Sequence, residues 1–304
     1  MTQRRNILVT GYTGRLGGLT ATALQTQHNV QPRVLVRPAR LADHNWQPPA
    51  GITAAPGDFD NPASLDAALD GIEAVFLVSP VNPAMHAREL ALAERAAARS
   101  PAPHIVKISG LGTSLDSFVD SGRWHAEIER DMLALGLTAT CLRPLFFMQN
   151  LAFQQQAMLA KGTLRGGVGD AAIAMVDARD IAAVAAAVLV GGTPIDGQTV
   201  SLTGPASVTY DEIAAVASSH FGREIRYVRQ SLEEVRDALA TSGQPQWHID
   251  ILLQFNDAFR QGWGDVTSDV VQSVLGRAPR TLDAYLAELA ASSDGATGNS
   301  PFPS

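Results

Sequence analysis

The chain has 304 residues, of which 46% are hydrophobic and 17% are charged, and its formal net charge is −7. This length accommodates one large α/β domain or two small ones, and the acidic balance excludes a surface that coats nucleic acid. The longest apolar run, near 181–190, is too short to span a bilayer, and the His and Cys residues lack the spacing of metal ligands. The single cysteine, Cys141, excludes an internal disulfide, and the N-terminus leaves no room for a signal peptide, so we expect a cytoplasmic protein.

A glycine-rich turn near the start of the chain is the clearest motif. The apolar run 5–10 predicts a buried strand, and 19–27 predicts a helix. Glycines in the turn between them let the backbone bring a pyrophosphate close to N–H groups at the positive end of the helix. A second strand, 33–36, follows at the βαβ distance, so the pattern predicts dinucleotide binding, against the alternative of an ordinary strand-to-helix turn. The turn consists of Gly11, Tyr12, Thr13, Gly14, Arg15, Leu16 and Gly17.

The residue after the second strand bears on the choice of cofactor. A loop that binds NAD usually has an acidic residue about twenty positions on, for the ribose 2′-hydroxyl, but this position holds Arg37. A guanidinium suits a 2′-phosphate, which it binds through two charge-assisted hydrogen bonds. Arg15 and Arg40 are candidates to converge on the same point. The sequence therefore predicts NADP(H), and the alternative is that Arg37 and Arg40 only solvate a loop.

Apolar strands alternate with helices through the first half of the chain. This alternation predicts an α/β fold with a doubly wound parallel sheet. In such a sheet, ligands bind beyond the carboxyl ends of the strands, where the strand order reverses. The predicted elements are strands at 52–55, 75–78, 104–109 and 138–143, and helices at 83–99 and 123–135.

The residues that follow these strands are the further candidates for cofactor binding. Asp58 is suited to accept a hydrogen bond from the adenine amino group, and Phe59 to cover a face of the ring. Asp60, two residues on, is expected to cap the next helix. The complete set is Asp58, Phe59, Val78, Ser79, Pro80, Ser109 and Pro144.

The second half of the chain predicts a smaller, mostly helical C-terminal lobe that holds the substrate. The predicted division is a dinucleotide-binding domain at 1–150 to which 171–203 returns, a substrate lobe at 151–170 and 204–290, and a disordered tail at 291–304. The predicted local elements are a glycine-rich connector at 162–169, strands at 173–177 and 198–202, and a helix at 210–220.

The catalytic pair of the short-chain dehydrogenases is absent from the sequence. In those enzymes a Tyr passes a proton to an alkoxide, because a Lys four residues later lowers the pKa of the phenol. None of the four tyrosines in this chain has a Lys four residues later. On the helix after the strand that ends at Ser109, Ser121 stands at the Tyr position and His125 at the Lys position.

These motifs resemble the NmrA-like group of atypical short-chain dehydrogenases, and they occur in the expected order to about Glu288. The resemblance implies a Rossmann-like domain, NADP(H), and a pocket roofed by the C-terminal helices. The group includes NADPH-dependent quinone reductases, triphenylmethane-dye and azo-dye reductases, and redox sensors that bind NADP without turnover. In its enzymes a His commonly replaces the Lys. The shared motifs are the glycine loop, Arg37-Pro38, 57–60, 76–80, 107–111, His125-x-x-x-Glu129, 141–144, 147–150 and 176–182.

The missing acid favours acceptors that take hydride with little help, such as a quinone, an azo or cationic dye, or an iminium. In this hypothesis the protein mainly holds a flat acceptor at reaction distance. The candidate catalytic residues are Ser109 and His125, and His125 is also a candidate to bind the ribose of the cofactor. The candidate substrate contacts are Phe146, Phe147, Met148 and Asn150.

Several alternatives stay open. His125 is either a site residue or a surface histidine paired with Glu129 one turn on. Lys107, two residues before Ser109, is expected to reach the end of the sheet in a structural role. The chain is either an oxidoreductase acting on a small molecule, as a monomer or homodimer, or a non-catalytic NADP(H) sensor that binds a protein. The absent Tyr–Lys pair favours the sensor, and the aromatic stretch after Arg143 and the helical lobe favour the enzyme. A reductase or lyase that acts on a biosynthetic intermediate is a third possibility.

Overall fold

The computed structural model describes residues 4–43 and 46–293. Its centre is a sheet of seven parallel strands in the order β3-β2-β1-β4-β5-β6-β8. This arrangement confirms the predicted doubly wound, Rossmann-like sheet. The strands are β1 (Arg5–Val9), β2 (Val30–Val36), β3 (Thr53–Pro56), β4 (Ala74–Leu77), β5 (His104–Ile108), β6 (Ala139–Pro144) and β8 (Thr199–Leu202).

Helices cover both faces of this sheet and form most of the C-terminal lobe. Within the described ranges, no helix has the length and apolar character needed to cross a membrane. Short 3₁₀ segments occupy Pro62–Ser64 and Met148–Gln154. The helices are α1 (Arg15–Gln25), α2 (Pro38–Leu41), α3 (Leu65–Ala68), α4 (Met85–Ala97), α5 (Asp120–Ala134), α6 (Gln155–Lys161), α7 (Ala178–Val190), α8 (Tyr210–Phe221), α9 (Leu232–Thr241), α10 (Gln246–Arg260), α11 (Val270–Leu275) and α12 (Leu282–Ser293).

The two faces of the sheet have separate hydrophobic cores, because successive strand residues point to opposite faces. Ile7 and Val9 of β1 belong to the core under α1, α7 and α11. Leu8, between them, belongs to the core under α3, α4 and α5. Every residue of β4 is buried, as expected for a central parallel strand covered on both sides. Helix α11 packs in the first core through Val271, although it lies in the range predicted for the lobe.

The strand order reverses between β1 and β4. The chain moves outward from β1 through β2 to β3, and then returns to the other side of β1 with β4. The carboxyl ends of β1 and β4 therefore lie side by side, with the connections that leave them diverging above and below the sheet. This position is the crevice in which open α/β sheets bind their ligands.

The lobe has its own core and a small sheet that the sequence did not predict. β7 (Thr163–Gly166) and β9 (Arg226–Arg229) form a two-stranded parallel sheet, where the range 162–169 was expected to be a connector. Ile213 of α8 and Leu286 of α12 are fully buried in the core of the lobe, together with Met158 of α6. The lobe is thus a packed unit beside the crevice.

Two other local predictions need correction. The range 173–177 is not a strand, since only isolated bridges form, at Ile173 and Val176. The disordered tail was predicted to begin at 291, but α12 continues to Ser293, and the rest of that range, 294–304, lies outside the described residues. The remaining strands and helices occur where expected, with bounds shifted by a few residues.

Candidate active site

The glycine turn packs so closely that two of its glycines have no room for a side chain. Gly11 has a φ of +60°, and a Cβ there would lie 2.7 Å from a side-chain carbon of Val78. A Cβ on Gly17 would lie 2.2 Å from the carbonyl oxygen of Gly11. The turn is closed by a 2.9 Å hydrogen bond that the N–H of Gly14 donates to the same oxygen. Helix α1 then begins without a side-chain cap, so its first N–H groups are available to an anion.

Thr10 ties the two strands at the crevice together. The single proton of its hydroxyl is shared between the carbonyl oxygens of Phe76, at 3.0 Å, and Val78, at 2.8 Å, and its oxygen accepts from the N–H of Val78 at 2.9 Å. These bonds fix the end of β4 against the glycine turn of β1. Val78 thus lies at the turn, and Ser79 and Pro80 follow it directly.

At the ends of β2 and β3 the charged side chains are exposed or half-buried. Arg37 is exposed and begins α2 as its N-cap residue. Asp60 does not cap a helix, contrary to expectation: Arg88 of α4 binds its two oxygens through hydrogen bonds of 2.7 and 2.9 Å. The hydrogen bond from Arg88 and, more weakly, the charges of Arg88 and Arg37 lower the pKa of the Asp60 carboxyl. Asp58 accepts from the N–H of Asp60 at 3.0 Å, and Phe59 packs partly on the α4 side of the sheet.

Arg15 and Arg40 lie in surroundings different from those of Arg37. The charge of Arg15 acts on the phenol of Tyr285 in α12, whose pKa burial raises to about 12. Arg15 therefore lies within electrostatic range of Tyr285, and its grouping with Arg37 stays a prediction. Arg40 pairs loosely with Asp43 and lies 6.0 Å from the ring of Trp46.

Trp46 is a residue of this region that the sequence reasoning missed. Its ring meets that of Tyr12 edge to face, with the centroids 6.5 Å apart, so it packs on the glycine turn. A tryptophan shortly after the second strand, next to a turn that contains a tyrosine, is a signal that the sequence analysis did not use. Aromatic pairs of this geometry contribute about 0.5–1.5 kcal/mol beyond area burial.

At the ends of β4 and β5 a chain of buried polar side chains runs beneath the crevice. The hydroxyl of Ser79 donates to Glu89 of α4 at 2.8 Å, and Lys107 of β5 donates to the other carboxylate oxygen at 2.6 Å. The ammonium of Lys107 also lies 3.0 Å from the carbonyl oxygen of Ile108 and 3.1 Å from Nδ1 of His125. The sequence analysis did not single out Glu89 and assigned Lys107 only a structural place.

The structure rules out the surface alternative for His125. The residue is 7% exposed, and Glu129 pairs with Arg143 instead. Burial, followed by the charges of Lys107 and Arg143, holds the pKa of His125 well below its usual range. His125 is therefore a neutral imidazole at the end of the sheet. It lies on the face of α5 that also buries Ser121.

Ser109, the other candidate catalytic residue, begins the loop after β5 and is buried. Its hydroxyl lies 3.2 Å from that of Thr113, which donates to the carbonyl oxygen of Gly110 at 2.6 Å. Because the Thr113 proton is used in that bond, the Ser109 hydroxyl donates to Thr113 and keeps its lone pairs for a ligand. Pro144, at the end of β6, accepts a hydrogen bond from Leu111 in the same loop.

The four candidate substrate contacts separate into different environments. Phe146 is half-buried and meets Phe259 of α10 edge to face at 5.6 Å. Phe147 is half-buried against the core of the sheet. Asn150 is also half-buried. Met148 is 1% exposed within the core of the lobe, so its side chain is not presented to a ligand and we reassign it to packing.

None of the tyrosines is prepared to act as an acid. Burial raises the pKa of Tyr12, Tyr210 and Tyr227, and that of Tyr285 reaches about 12. The phenol of a short-chain dehydrogenase needs the opposite shift. Among the described residues, no group of three or more His, Cys, Asp or Glu side chains is placed to hold a metal ion.

Comparisons with known proteins show the family. A family model described as the NmrA-like family matches residues 3–286. The chain is 34% identical over 277 residues to the NAD(P)H azoreductase of Xenophilus azovorans, covering 91% of this chain and 95% of that protein. It is 33% identical over 288 residues to the (4-alkanoyl-5-oxo-2,5-dihydrofuran-3-yl)methyl phosphate reductase of Streptomyces griseus subsp. griseus, covering 93% and 97%.

A solved structure extends the likeness to the whole fold. The NADPH-dependent quinone oxidoreductase of Escherichia coli, complexed with NADPH, superposes with a TM-score of 0.82 at 26% identity, over 93% of this chain and 99% of that chain. The family match spans both the sheet and the lobe, and the two relatives exceed 30% identity over nearly their full lengths. The chain is therefore a member of the NmrA-like family.

Proposed function

We propose that this protein is an NADPH-dependent oxidoreductase that transfers hydride to a flat, electron-poor acceptor of the quinone, azo-dye or cationic-dye type. The observation that carries the proposal is the group of residues at the ends of β4 and β5, which includes a buried neutral histidine and buried hydroxyls, together with the lack of an activated phenol among the four tyrosines. An acceptor that is already electron-poor needs little help from an acid. The names of the azoreductase and quinone oxidoreductase relatives support the same class.

The residues at the switch point fit a dinucleotide. The glycine turn has no room for side chains at Gly11 and Gly17, and the uncapped start of α1 offers N–H groups to a pyrophosphate. Arg37, exposed at the end of β2, would bind the 2′-phosphate, with Asp58 and Phe59 beside it for the adenine. When bound, NADPH supplies the hydride.

The reaction end would position the acceptor rather than protonate it strongly. His125, at the end of β5, would donate a hydrogen bond from Nε2 to a ribose hydroxyl or to a heteroatom of the acceptor. Ser109 would accept one through its free lone pairs. Phe146, packed on the lobe, and Phe147, packed on the sheet, would each offer an apolar face to a flat molecule, and Asn150 would offer a polar contact. The non-catalytic sensor gains no support, since both curated relatives reported above are named as reductases.

A turnover assay tests the proposal directly. NADPH oxidation is followed by its absorbance with an azo dye, a quinone, a triphenylmethane dye and a butenolide, because the relatives' names cover different acceptors. We expect turnover with at least one acceptor and preference for NADPH over NADH. Tight NADPH binding without turnover of any acceptor would overturn the enzyme and leave the sensor.

We also propose that the protein works in a reducing compartment such as the cytoplasm, as a monomer or homodimer on a small-molecule substrate. The support for the compartment is Cys141, which is buried and unpaired, with a thiol pKa that burial raises to about 11. Light scattering with and without NADPH distinguishes a monomer from a dimer, and a tetramer would contradict the proposal.

A further inference from the structure

The buried ion pair behind His125 is the feature that the proposed function leaves unexplained. Lys107 is fully buried and Glu89 is 1% exposed. A buried ion pair is weak evidence for stability, because removing two charges from water costs about as much as their attraction returns. This pair joins two residues of the crevice, Ser79 at the end of β4 and His125 on α5. Its place indicates a role at the site.

A donor and an acceptor can be assigned to each hydrogen bond of the Lys107 ammonium. A lysine ammonium has three N–H donors and no acceptor. Lys107 has three partners within 3.1 Å, namely Oε2 of Glu89, the carbonyl oxygen of Ile108 and Nδ1 of His125. Since the ammonium donates only, Nδ1 of His125 is the acceptor and carries no proton. The proton of the neutral ring is therefore on Nε2.

We propose that Lys107 and Glu89 are positioning residues that hold His125 as the neutral tautomer protonated on Nε2. His125 is thereby a hydrogen-bond donor in the crevice and neither a base nor a cationic acid. One oxygen of Glu89 holds the ammonium in place, and Ser79 donates to the other oxygen. The functional meaning of this arrangement rests on the proposed reductase activity, but the tautomer itself does not.

The charges around His125 are consistent with a ring that stays neutral. Lys107 on β5 and Arg143 on β6 are positive, and both act on the ring. Glu129, one turn further along α5, forms an ion pair with Arg143. Cys141 on β6 remains a thiol, because burial raises its pKa to about 11. Glu89 reaches His125 only through Lys107.

The tautomer can be read in the unmodified protein. Uniform ¹⁵N labelling of the seven histidines, with His125→Gln to identify the signal, reports which ring nitrogen is protonated. We expect the Nε2–H form of His125 from about pH 8 down to about pH 5.5, below the ordinary histidine pKa. An Nδ1–H form or an imidazolium in this range overturns the proposal, whether or not the protein turns over an acceptor.

The variant Lys107→Met/Glu89→Gln tests the cause of that tautomer. It removes both buried charges together, so no charge is left unpaired. We expect His125 to populate both tautomers, to titrate at a higher pH than in the wild type, and to introduce an inflection into a pH profile that is otherwise flat. Turnover should fall roughly tenfold to a hundredfold, the range for hydrogen-bond partners that orient metal-bound histidines.

His86→Gln is the matched control. His86 of α4 forms a 2.8 Å hydrogen bond with Asp131 of α5, so it links the same two helices without belonging to the hydrogen-bonded group of Ser79, Glu89, Lys107 and His125. It should leave the His125 signal, the pH profile and turnover unchanged. A double variant that is folded and keeps the wild-type tautomer and flat profile overturns the proposal. Absence of turnover in a wild type that shows the Nε2–H form counts against the proposed function alone.

Discussion

The two ends of the crevice use charge in opposite ways. At the ends of β2 and β3 the charged groups are fully or partly exposed: Arg37 is exposed, and in the nearby ion pair Arg88 is 25% exposed and Asp60 63%. At the ends of β4 and β5, Lys107 is fully buried and Glu89 is 1% exposed. We call the ends of β2 and β3 the outer end and the ends of β4 and β5 the inner end. The side chains of the outer end contact solvent in the absence of a ligand. Those of the inner end are already bound by other side chains of the protein.

This difference has an energetic consequence. An exposed ion pair contributes about 0–1 kcal/mol, so the outer end adjusts at little cost. A buried pair contributes little net stability while intact, yet losing one partner leaves a charge without solvent. The hydrogen bonds of the inner end are therefore either all in place or lost together. Such an arrangement suits His125, which must present one ring nitrogen to the reaction. Variants at the two ends should differ accordingly.

The largest effect is expected for Lys107→Met. The substitution leaves the carboxylate of Glu89 buried and unpaired, so the free energy of unfolding should fall by about 3–5 kcal/mol. Arg88→Met, which removes the cation of the exposed pair, should cost less than about 1 kcal/mol. Urea unfolding followed by circular dichroism measures both. Equal losses in the two variants would remove the distinction between the two ends.

The next effect concerns the exposed guanidinium. Arg37→Ala should weaken NADPH binding by about 1.5–3 kcal/mol, the value of hydrogen bonds to a charged group, and barely change NADH binding. Titration calorimetry with both cofactors measures the difference, and Arg236→Ala, on the exposed surface of α9, is the control. If NADPH and NADH binding weakened together, Arg37 would not be the 2′-phosphate contact.

A smaller effect is expected where the two ends meet, at the glycine turn. In Gly17→Ala the new Cβ would lie 2.2 Å from a backbone oxygen of Gly11, so the turn must shift, at a cost of about 1–3 kcal/mol in cofactor binding. Gly18→Ala is matched, since its Cβ would be 3.3 Å from the nearest atom, the carbonyl oxygen of Tyr12. Comparable NADPH affinity in the two variants would contradict a turn that is held by close packing.

The sequence indicated single residues at both ends of the crevice but missed the ion pair of the inner end, for a physical reason. Strands such as β4 are runs of apolar residues, and Arg37 follows such a run directly, so both can be read from adjacent residues. The pairing of Glu89 with Lys107 depends on how α4 lies over β5. A signal did exist: Glu89 shares the helical face of Met85, Leu92 and Ala93, where a charge is out of place unless it is paired.

The same limit explains the errors in the lobe. β7 and β9 pair across some sixty intervening residues, between Thr163 and Arg226, and neither segment is apolar enough to stand out as a strand. The range 173–177 has the apolar composition of a strand, yet it divides between two cores, with Met175 in the lobe and Val176 under the sheet. Composition predicts burial only for 173–177, and in both cases the tertiary arrangement decides the partner.

The smallest expected effect is a pH dependence of the free energy of unfolding that arises from His125 at the inner end. His125 is neutral in the folded protein because burial and the charge of Lys107 depress its pKa, whereas in the unfolded chain it titrates near 6.5. The unfolded state therefore binds more protons below that pH, and stability present above about pH 6.5 is lost as the pH falls, by at most about 1.4 kcal/mol per pH unit. His125→Gln should remove this contribution from urea unfolding measured between about pH 7 and pH 5.

His104, at the opposite end of β5, also has a pKa lowered by burial, so His104→Gln should reduce the slope while turnover stays unchanged. An unaltered slope in His125→Gln would mean that the folded protein protonates His125, and the inner end would then not be insulated from solvent.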